Sequence, residues 1–317
     1  MTTTTVTYDP STSPTANNLI CVTCGTQYPT SDPSHTRTCL ICDDPRQYVP
    51  PAGQSFTTLS ALLTSPKNYH NVFTPYPHDP RLISIHTTPK LAIGQRAILL
   101  RLPAGKNILW DCLTYLDLPT VARINNLGGL AAIVISHPHY YSAHAEWSRA
   151  FGGCPVYTAA RDGEWKVVTS SDSDILLDAE KSTFEVEGTK VLQLGGHFPG
   201  SLVLLFDGRL LIADTLLTTP SGVGKWTVDA VGEERKKPEG LNTFSFMWSV
   251  PNWIPLGPEE IVAMWDVLKG YDFRSTHGAF VGQDIEDEGV KRRVLESMQI
   301  QVRRMGWKDH PFLKEST

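Results

Sequence analysis

The stretch that most constrains the fold is AAIVISHPHYYSAHA, residues 131–145. A short apolar run, typical of a buried strand, ends abruptly in a segment that carries His137, His139 and His144. Pro138 makes a helix interior unfavourable for the first two histidines, and in an extended segment residues two apart point to the same side. Both imidazoles would then reach one metal ion, for which histidine is a common ligand. We therefore predict a metal site here; the alternative is a pair of solvent-facing loop histidines.

Four of the six cysteines form two C-x-x-C pairs, Cys21 with Cys24 and Cys39 with Cys42, separated by fourteen residues. Each pair places two thiolates on one side of a tight turn, and two such turns close a tetrahedral shell. A redox pair or two disulfides are the alternatives. This spacing in a short polar segment favours structural Zn²⁺, as in a zinc ribbon. Since a closed shell leaves no open position for chemistry, we expect the ribbon to be an appendage of a catalytic domain.

Charge and apolar content exclude some functions. The 28 Lys and Arg against 33 Asp and Glu leave a formal net charge of −5, which disfavours binding to a nucleic-acid backbone. The sequence has no apolar run approaching the roughly 18 residues that span a membrane. Its first residues have neither the basic start nor the apolar core of a secretory signal. We expect a cytoplasmic protein with a small-molecule substrate and no membrane contact; the oligomeric state stays open.

Composition shifts divide the chain into four predicted parts. Residues 1–18 are rich in Thr, Ser and Pro and predict a flexible tail. The zinc ribbon follows at 19–48, and a Pro-rich connector at 49–80. From residue 81 to 317 short apolar strands alternate with helix-like segments, which predicts one α/β (α+β) domain.

Three further strand ends in this domain deliver polar side chains to loops. His197 follows an apolar strand at 189–194, Asp214 ends the second strand of the next hairpin, and His277 ends a strand at 271–276. A strand fixes the direction of the residues that follow it, so strand ends are suited to building a site. These residues are candidates to complete the site of His137 and His139.

The motifs S-H-P-H at 136–139, G-G-H-F-P-G-S at 195–201, L-I-A-D-T ending at Thr215 and T-H-G ending at Gly278 occur in one order. This ordered set resembles the metallo-β-lactamase superfamily, over roughly residues 80–285. The resemblance implies an αββα sandwich, in which two β-sheets pack face to face with helices outside. It also implies a metal site at one edge of the sandwich.

Carried over to this chain, the resemblance implies roles for five residues. His137, His139 and His197 would hold a first metal ion. Asp214 would bridge or face both ions of a two-metal site, and His277 would bind the second ion. Asp214 is also our candidate to orient the attacking hydroxide, because Tyr141 stands where the superfamily usually has a water-positioning aspartate.

One segment departs from the superfamily pattern, H-x-H-x-D-H. This chain has Tyr141 where the aspartate is expected and Ser142 where the histidine is expected. The change favours one active-site ion over two, with Zn²⁺ expected and Fe or Mn as alternatives. His144 is a candidate replacement ligand or proton carrier, or else a helix-surface histidine. Tyr141 is a candidate hydrogen-bond donor to an oxyanion, or a packing residue.

These features predict a metal-dependent hydrolase. A zinc-bound hydroxide formed near neutral pH would attack a small lactone, lactam, ester or thioester. One alternative is a non-catalytic or weakly active protein that binds a metal or a partner and has a degenerate second-metal site. The others are a nuclease and an iron-dependent oxidoreductase of the same fold.

An aromatic-rich insertion separates Asp214 from His277. It contains Trp226, Phe244, Phe246, Trp248 and Trp253. These side chains are candidates for an apolar wall around a small substrate. Core packing and a dimer patch are the alternatives.

Overall fold

A computed structural model describes residues 8–103, 105–168 and 173–317. The chain divides into two compact units, residues 1–179 and 180–317. Both contain sheets and helices, so the predicted mixed α/β class is confirmed. This division differs from the single main domain predicted over 81–317, which stays a prediction. No helix among the described residues has the length and apolar character needed to cross a bilayer.

The first unit contains one large sheet and one two-stranded sheet. The strands of this unit are β1 (Leu19–Cys21), β2 (Phe56–Thr58), β3 (His70–Tyr76), β4 (Asp79–Thr88), β5 (Arg96–Arg101), β6 (Asn107–Trp110), β7 (Ala132–Val134), β8 (Val156–Ala159) and β9 (Asp174–Leu177), and its helices are α1 (Leu59–Leu63), α2 (Leu118–Asn126) and α3 (His144–Ala150). Strands β3 to β9 form the seven-stranded sheet in sequence order. Pairing is antiparallel from β3 to β6 and parallel from β6 to β9. Helix α2 lies in the crossover from β6 to β7, and α3 lies in the crossover from β7 to β8.

Strand β3 lies within the segment predicted as an irregular connector, 49–80. Its sequence, HNVFTPY, contains Pro75 and only one fully buried residue, Phe73. Because β3 is an edge strand, a proline and polar side chains are tolerated there. The strand therefore forms through its pairing with β4 and not from an apolar pattern of its own.

The N-terminal segment contacts α3. Residues 1–7 of the predicted flexible tail lie outside the described residues. Tyr8, Ser13 and Thr15 each donate a hydroxyl hydrogen bond to the carboxylate of Glu146, which is fully buried on α3. Arg149 pairs with the same carboxylate at 2.8 Å. A buried carboxylate is costly unless it is hydrogen-bonded, so these contacts stabilise the docked segment.

The cysteine-containing segment packs on the rest of the first unit. Strand β1 pairs with β2, and Ile20 packs with Leu59, Leu62 and Tyr115 in a buried cluster. Gly25 lies against Thr114, whose hydroxyl donates to the Gly25 carbonyl at 3.0 Å. The ribbon is therefore attached to the loop that follows β6.

The second unit contains a six-stranded sheet and two long helices. Its strands are β10 (Thr183–Val186), β11 (Thr189–Gln193), β12 (Leu202–Phe206), β13 (Arg209–Leu211), β14 (Leu217–Thr218), β15 (Phe244–Ser245), β16 (Met247–Ser249), β17 (Ile254–Pro255), β18 (Ser275–His277) and β19 (Asp284–Glu286), and its helices are α4 (Pro258–Leu268) and α5 (Val290–Arg304). The sheet order is β10-β11-β12-β13-β18-β19, with β13 and β18 parallel.

The core of the second unit lies between this sheet and its helices. Helix α4 buries Ile261, Met264, Trp265 and Leu268. Their i, i+3, i+4, i+7 spacing predicts one apolar face of a helix, and this face is confirmed. The amphipathic, mixed-charge sequence at 284–305 predicts a helix, but α5 starts only at Val290. Residues 284–286 instead extend the sheet as β19, because pairing with β18 satisfies their backbone groups.

We expect Gly25→Ala to destabilise the chain more than Gly53→Ala. Both glycines have φ of +84°, so both substitutions carry the same left-handed backbone penalty. A Cβ at Gly25 would lie 2.0 Å from Thr114 Oγ1, whereas at Gly53 it would meet nothing within 4 Å. Urea denaturation should show that Gly25→Ala lowers the free energy of unfolding by about 2 kcal/mol more than Gly53→Ala does. Equal losses would contradict the close packing of the ribbon on Thr114.

Candidate metal centre

The chain leaves β7 in a fixed direction. Asp111, fully buried with φ of +64°, donates its N–H to the Val134 carbonyl at 2.8 Å. Its carboxylate accepts the N–H of Ser136 at 2.7 Å. The residue after Ser136 is His137, so this carboxylate positions the backbone that carries the histidine motif.

The histidine motif is not a continuous extended segment, and that expectation was wrong. His137 is extended, with φ of −171°, but Pro138–Tyr140 form one turn of 3₁₀ helix. Pro138 fits the first position of such a turn because its fixed φ is helical and no N–H is needed there. The turn still brings the rings of His137 and His139 together, with centroids 5.1 Å apart. The two histidines therefore adjoin through a tight turn and not through strand periodicity.

His197 is held by the loop after β11. Gly195 and Gly196 have φ of +68° and +87°, and a Cβ at Gly196 would lie 2.7 Å from Thr215 Oγ1. Thr215 accepts the His197 N–H at 3.3 Å and donates to the Gly195 carbonyl. A larger side chain at Gly196 would displace Thr215 and with it His197.

The ring of His197 has the orientation expected of a metal ligand. Its Nδ1 lies 3.2 Å from the Met247 carbonyl, which can only accept, so Nδ1 carries the proton. The neutral ring then presents a lone pair on Nε2, which lies 3.8 Å from Asp214 Oδ2. A backbone carbonyl behind a ligating imidazole is a common way to fix its tautomer.

Four side chains form one candidate metal site: His137, His139, His197 and Asp214. One ligand atom of each lies within 4.8 Å of the others, and no residue of the set is more than 4% exposed. Three imidazole nitrogens and one carboxylate oxygen are donors that suit zinc, iron or manganese. Ligands this close surround a space the size of one ion, so the donor set fits a metal. A buried site of this composition is typical of a metal-dependent hydrolase or oxidoreductase.

His277 is not part of this set among the residues that the structure describes. Its Nδ1 lies 3.0 Å from Asp284 Oδ1, and its Nε2 lies 3.1 Å from Ser275 Oγ. The predicted role as a second-metal ligand stays a prediction. The pairing with Asp284 needs no metal, because β18 and β19 are neighbours and bring the two side chains together.

His144 and Tyr141, the predicted replacement ligand and oxyanion donor, are likewise outside the set. Both are buried, and each contacts backbone carbonyls. His144 Nδ1 lies 2.9 Å from the Tyr141 carbonyl and Nε2 lies 3.1 Å from that of Val168. The Tyr141 hydroxyl donates to the Asp162 carbonyl at 3.2 Å, and burial raises the pKa of Tyr141 well above its usual value. These contacts favour the packing alternative for Tyr141. The alternative of a helix-surface histidine was wrong for His144, which is 2% exposed.

Cys21, Cys24, Cys39 and Cys42 form the second candidate metal site. Their sulfurs lie 3.7 Å apart between Cys21 and Cys42 and 3.5 Å apart between Cys24 and Cys39. A disulfide would require about 2.0 Å. Sulfur ligands at about 2.3 Å from a tetrahedral ion are about 3.8 Å apart, close to the distances seen.

The protonation of the four thiols also points to a cation. Hydrogen bonds from Cys24, Cys39 and Cys42 lower the pKa of the Cys21 thiol, and the nearby Cys21 sulfur raises the pKa of Cys24. One thiolate therefore suppresses ionisation of its neighbour. A divalent cation removes this conflict, because it stabilises all four thiolates at once.

The aromatic insertion belongs partly to the core. Phe244 and Phe246 are fully buried in the core of the second unit, and Trp248 packs against it. The Trp226 indole donates to the Ser221 carbonyl at 2.8 Å. Trp253 is 82% exposed with φ of +58°. Core packing therefore explains the two phenylalanines, and an apolar substrate wall stays a prediction for the others.

Two groups that support the site were not predicted. Asp111 follows β6 directly, so it gives the same strand-end signal that identified Asp214. The Met247 carbonyl has no sequence signal, because any residue supplies a carbonyl. Its place beside His197 depends on the fold alone.

We expect His144 to make the stability of the chain dependent on pH. Burial lowers the pKa of His144 to about 4, below its usual 6.5. The unfolded chain therefore binds the proton more readily than the folded chain. The contribution of neutral His144 to the free energy of unfolding is complete above pH 6.5 and is lost as the pH falls towards 4. Urea denaturation should show that the free energy of unfolding falls between pH 7 and pH 4.5 by on the order of 2–3 kcal/mol more in wild type than in His144→Gln.

Metal ligands titrate equally in both proteins, so their contribution cancels in this difference. Parallel stability curves for wild type and His144→Gln would contradict the burial of a neutral His144.

No family model matches the sequence. The structure is similar to that of the metallo-β-lactamase FIM-1 from Pseudomonas aeruginosa in a mono-zinc form, at a TM-score of 0.48 and 13% identity, covering 75% of this chain and 98% of that one. It is similar to a flavo di-iron protein mutant from Thermotoga maritima at a TM-score of 0.45 and 11% identity, covering 73% of this chain and 62% of that one. Likenesses at this level carry no information about the reaction.

Four of the five donors that the metallo-β-lactamase resemblance implies, and all four cysteines of the ribbon motif, come together in the two candidate metal sites. The uncharacterized protein YmaE of Bacillus subtilis (strain 168) is 38% identical over 285 residues, which cover 87% of this chain and 94% of YmaE. At that identity over nearly the whole length of both proteins, the chain belongs to the same family as YmaE.

Proposed function

We propose that this chain is a metal-dependent hydrolase that cleaves a small ester, thioester, lactone or lactam. The observation that carries the proposal is the buried set of His137, His139, His197 and Asp214, with ligand atoms within 4.8 Å of one another. When bound there, a divalent ion such as zinc lowers the pKa of a coordinated water to about 7 and polarises a carbonyl oxygen.

The histidines and the aspartate of the set have different roles in the proposed reaction. The three imidazoles would hold the ion as neutral ligands, and the Met247 carbonyl keeps His197 in the tautomer that presents Nε2. Asp214 is the only carboxylate of the set. One of its oxygens can ligate, and the other can accept the proton of the attacking water. We therefore assign Asp214 the role of positioning and deprotonating that water.

The ring nitrogens of His144 and the hydroxyl of Tyr141 contact backbone carbonyls. Lowering of the His144 pKa to about 4 would also leave it a weak base near neutral pH. Asp214 is thus the better candidate for the proton transfer.

Metal analysis tests the donor sets. We expect inductively coupled plasma mass spectrometry to find two metal equivalents per purified full-length chain, one for each site. His197→Ala should retain the cysteine-bound ion alone, and Cys39→Ser should lose that ion. His70→Ala, at an exposed position, is the matched control and should keep both. Two equivalents in His197→Ala would contradict the histidine site. Iron in place of zinc at that site would favour an oxidoreductase.

Activity tests the reaction. A panel of lactones, lactams, esters and thioesters is incubated with the metal-loaded chain, and kcat is measured for whichever substrate turns over. We expect Asp214→Asn to lower kcat by about 100-fold, because it removes the proton acceptor. Asp266→Asn, an exposed carboxylate on α4, should leave kcat unchanged. Failure of every substrate class with a fully loaded site would overturn the proposal and favour a binding protein.

A further inference from the structure

The amide of Gln95 joins the cysteine site to the histidine motif. Gln95 is 4% exposed and immediately precedes β5. Its Nε2 donates to the Cys24 carbonyl at 2.7 Å and to the His139 carbonyl at 3.3 Å. One amide group therefore contacts the backbone of a candidate ligand from each site.

A second link runs through Gln27, also in the ribbon. Its backbone N–H donates to the Ser142 carbonyl at 3.0 Å. Ser142 is buried and has φ of +45°, a conformation that serine adopts only at a cost. The ribbon thus helps to hold a strained residue three positions after His139.

Further contacts attach the ribbon beside these links. Thr114 donates to the Gly25 carbonyl at 3.0 Å, and Gly25 follows Cys24 directly. Asp44 accepts the Trp165 indole N–H at 3.0 Å. Trp165 ends the 3₁₀ segment Ala160–Trp165, whose Asp162 carbonyl accepts the Tyr141 hydroxyl. Several hydrogen bonds therefore attach the ribbon to segments that border the histidine motif.

We infer that the cysteine-bound metal strengthens metal binding at the histidine site, with Gln95 as the positioning residue that couples them. An ion held by the four cysteines fixes the Cys24 backbone, and Gln95 transmits that position to the His139 backbone. The two donated hydrogen bonds satisfy both carbonyls only while the ribbon keeps its folded position. The ribbon is then a support for the active site. This inference rests on the two metal sites and not on the proposed hydrolysis.

The first experiment measures affinity at the histidine site. Full-length chain with its cysteine site filled is titrated with Co²⁺ or Zn²⁺ against a chromophoric chelator. We expect Gln95→Met, which has a similar volume and no donor, to weaken binding about 10-fold, as is usual for groups that orient ligands. The cysteine site should stay filled in this variant.

Asn107→Leu is the matched control. Asn107 is also a buried amide in the first unit, and its Nδ2 donates to the carbonyls of Leu127 and Gly129 at 3.0 and 2.6 Å. It should lower stability without changing the affinity of the histidine site. Equal affinities in wild type and Gln95→Met, or equal weakening in Asn107→Leu, would overturn the role of Gln95.

The second experiment leaves Gln95 intact and covers the case in which Gln95→Met does not fold. A His137→Ala/His197→Ala variant, in which the histidine site is disabled, is compared with and without one equivalent of Zn²⁺ at the cysteines. Hydrogen exchange of residues 139–146 should slow at least several-fold when zinc is bound. Unchanged exchange in this segment would overturn the coupling, and it would leave the proposed hydrolysis untouched.

Discussion

The hydrogen bond from the Ser136 N–H to the buried Asp111 carboxylate fixes where the chain leaves strand β7. Everything in the first half of the metal site follows from that exit. Strand β7 is buried between β6 and β8, so its own position is set by two parallel neighbours. Asp111 follows β6 directly in a left-handed conformation, which turns its side chain towards the end of the adjacent strand. The ends of β6 and β7 together therefore fix the backbone position of His137.

Both candidate metal sites concentrate polar groups where water is largely absent. Burying imidazoles, a carboxylate or thiolates is unfavourable unless hydrogen bonds or a cation compensate. In the cysteine site the thiols compete for ionisation, and in the histidine site the carboxylate of Asp214 lies beside three imidazoles. A metal ion bound at each site would compensate for the burial of all four of its ligand groups. Metal binding and the stability of the surrounding loops are therefore expected to be linked.

The departure from the superfamily pattern at Tyr141 and Ser142 has a structural counterpart. Tyr141 is buried and its hydroxyl donates to the Asp162 carbonyl. The Ser142 carbonyl accepts the backbone N–H of Gln27 from the ribbon. Both residues therefore hold the histidine segment against its surroundings. The hydrogen bond from Gln27 connects the ribbon directly to the segment that follows His139.

Much of the site could be predicted because its signals are local. Apolar strands ending at His137, His197 and Asp214 appear in the sequence as short runs followed by polar residues. The C-x-x-C spacing is equally local, since each pair is one tight turn. The places where prediction failed depend on distant partners. Strand β3 forms only beside β4, and residues 284–286 join a sheet only because β18 lies next to them.

Residue chemistry and short-range periodicity are local properties, so the sequence alone predicts the types and order of the metal donors, the mixed α/β class and the buried face of helix α4. Which donors come together depends on the tertiary structure. It grouped His137 and His139 with His197 and Asp214, paired His277 with Asp284, and placed His144 among backbone carbonyls. It also brought Gln95 between Cys24 and His139. Distances between residues remote in sequence depend on the packing of whole strands and loops, which no local pattern encodes.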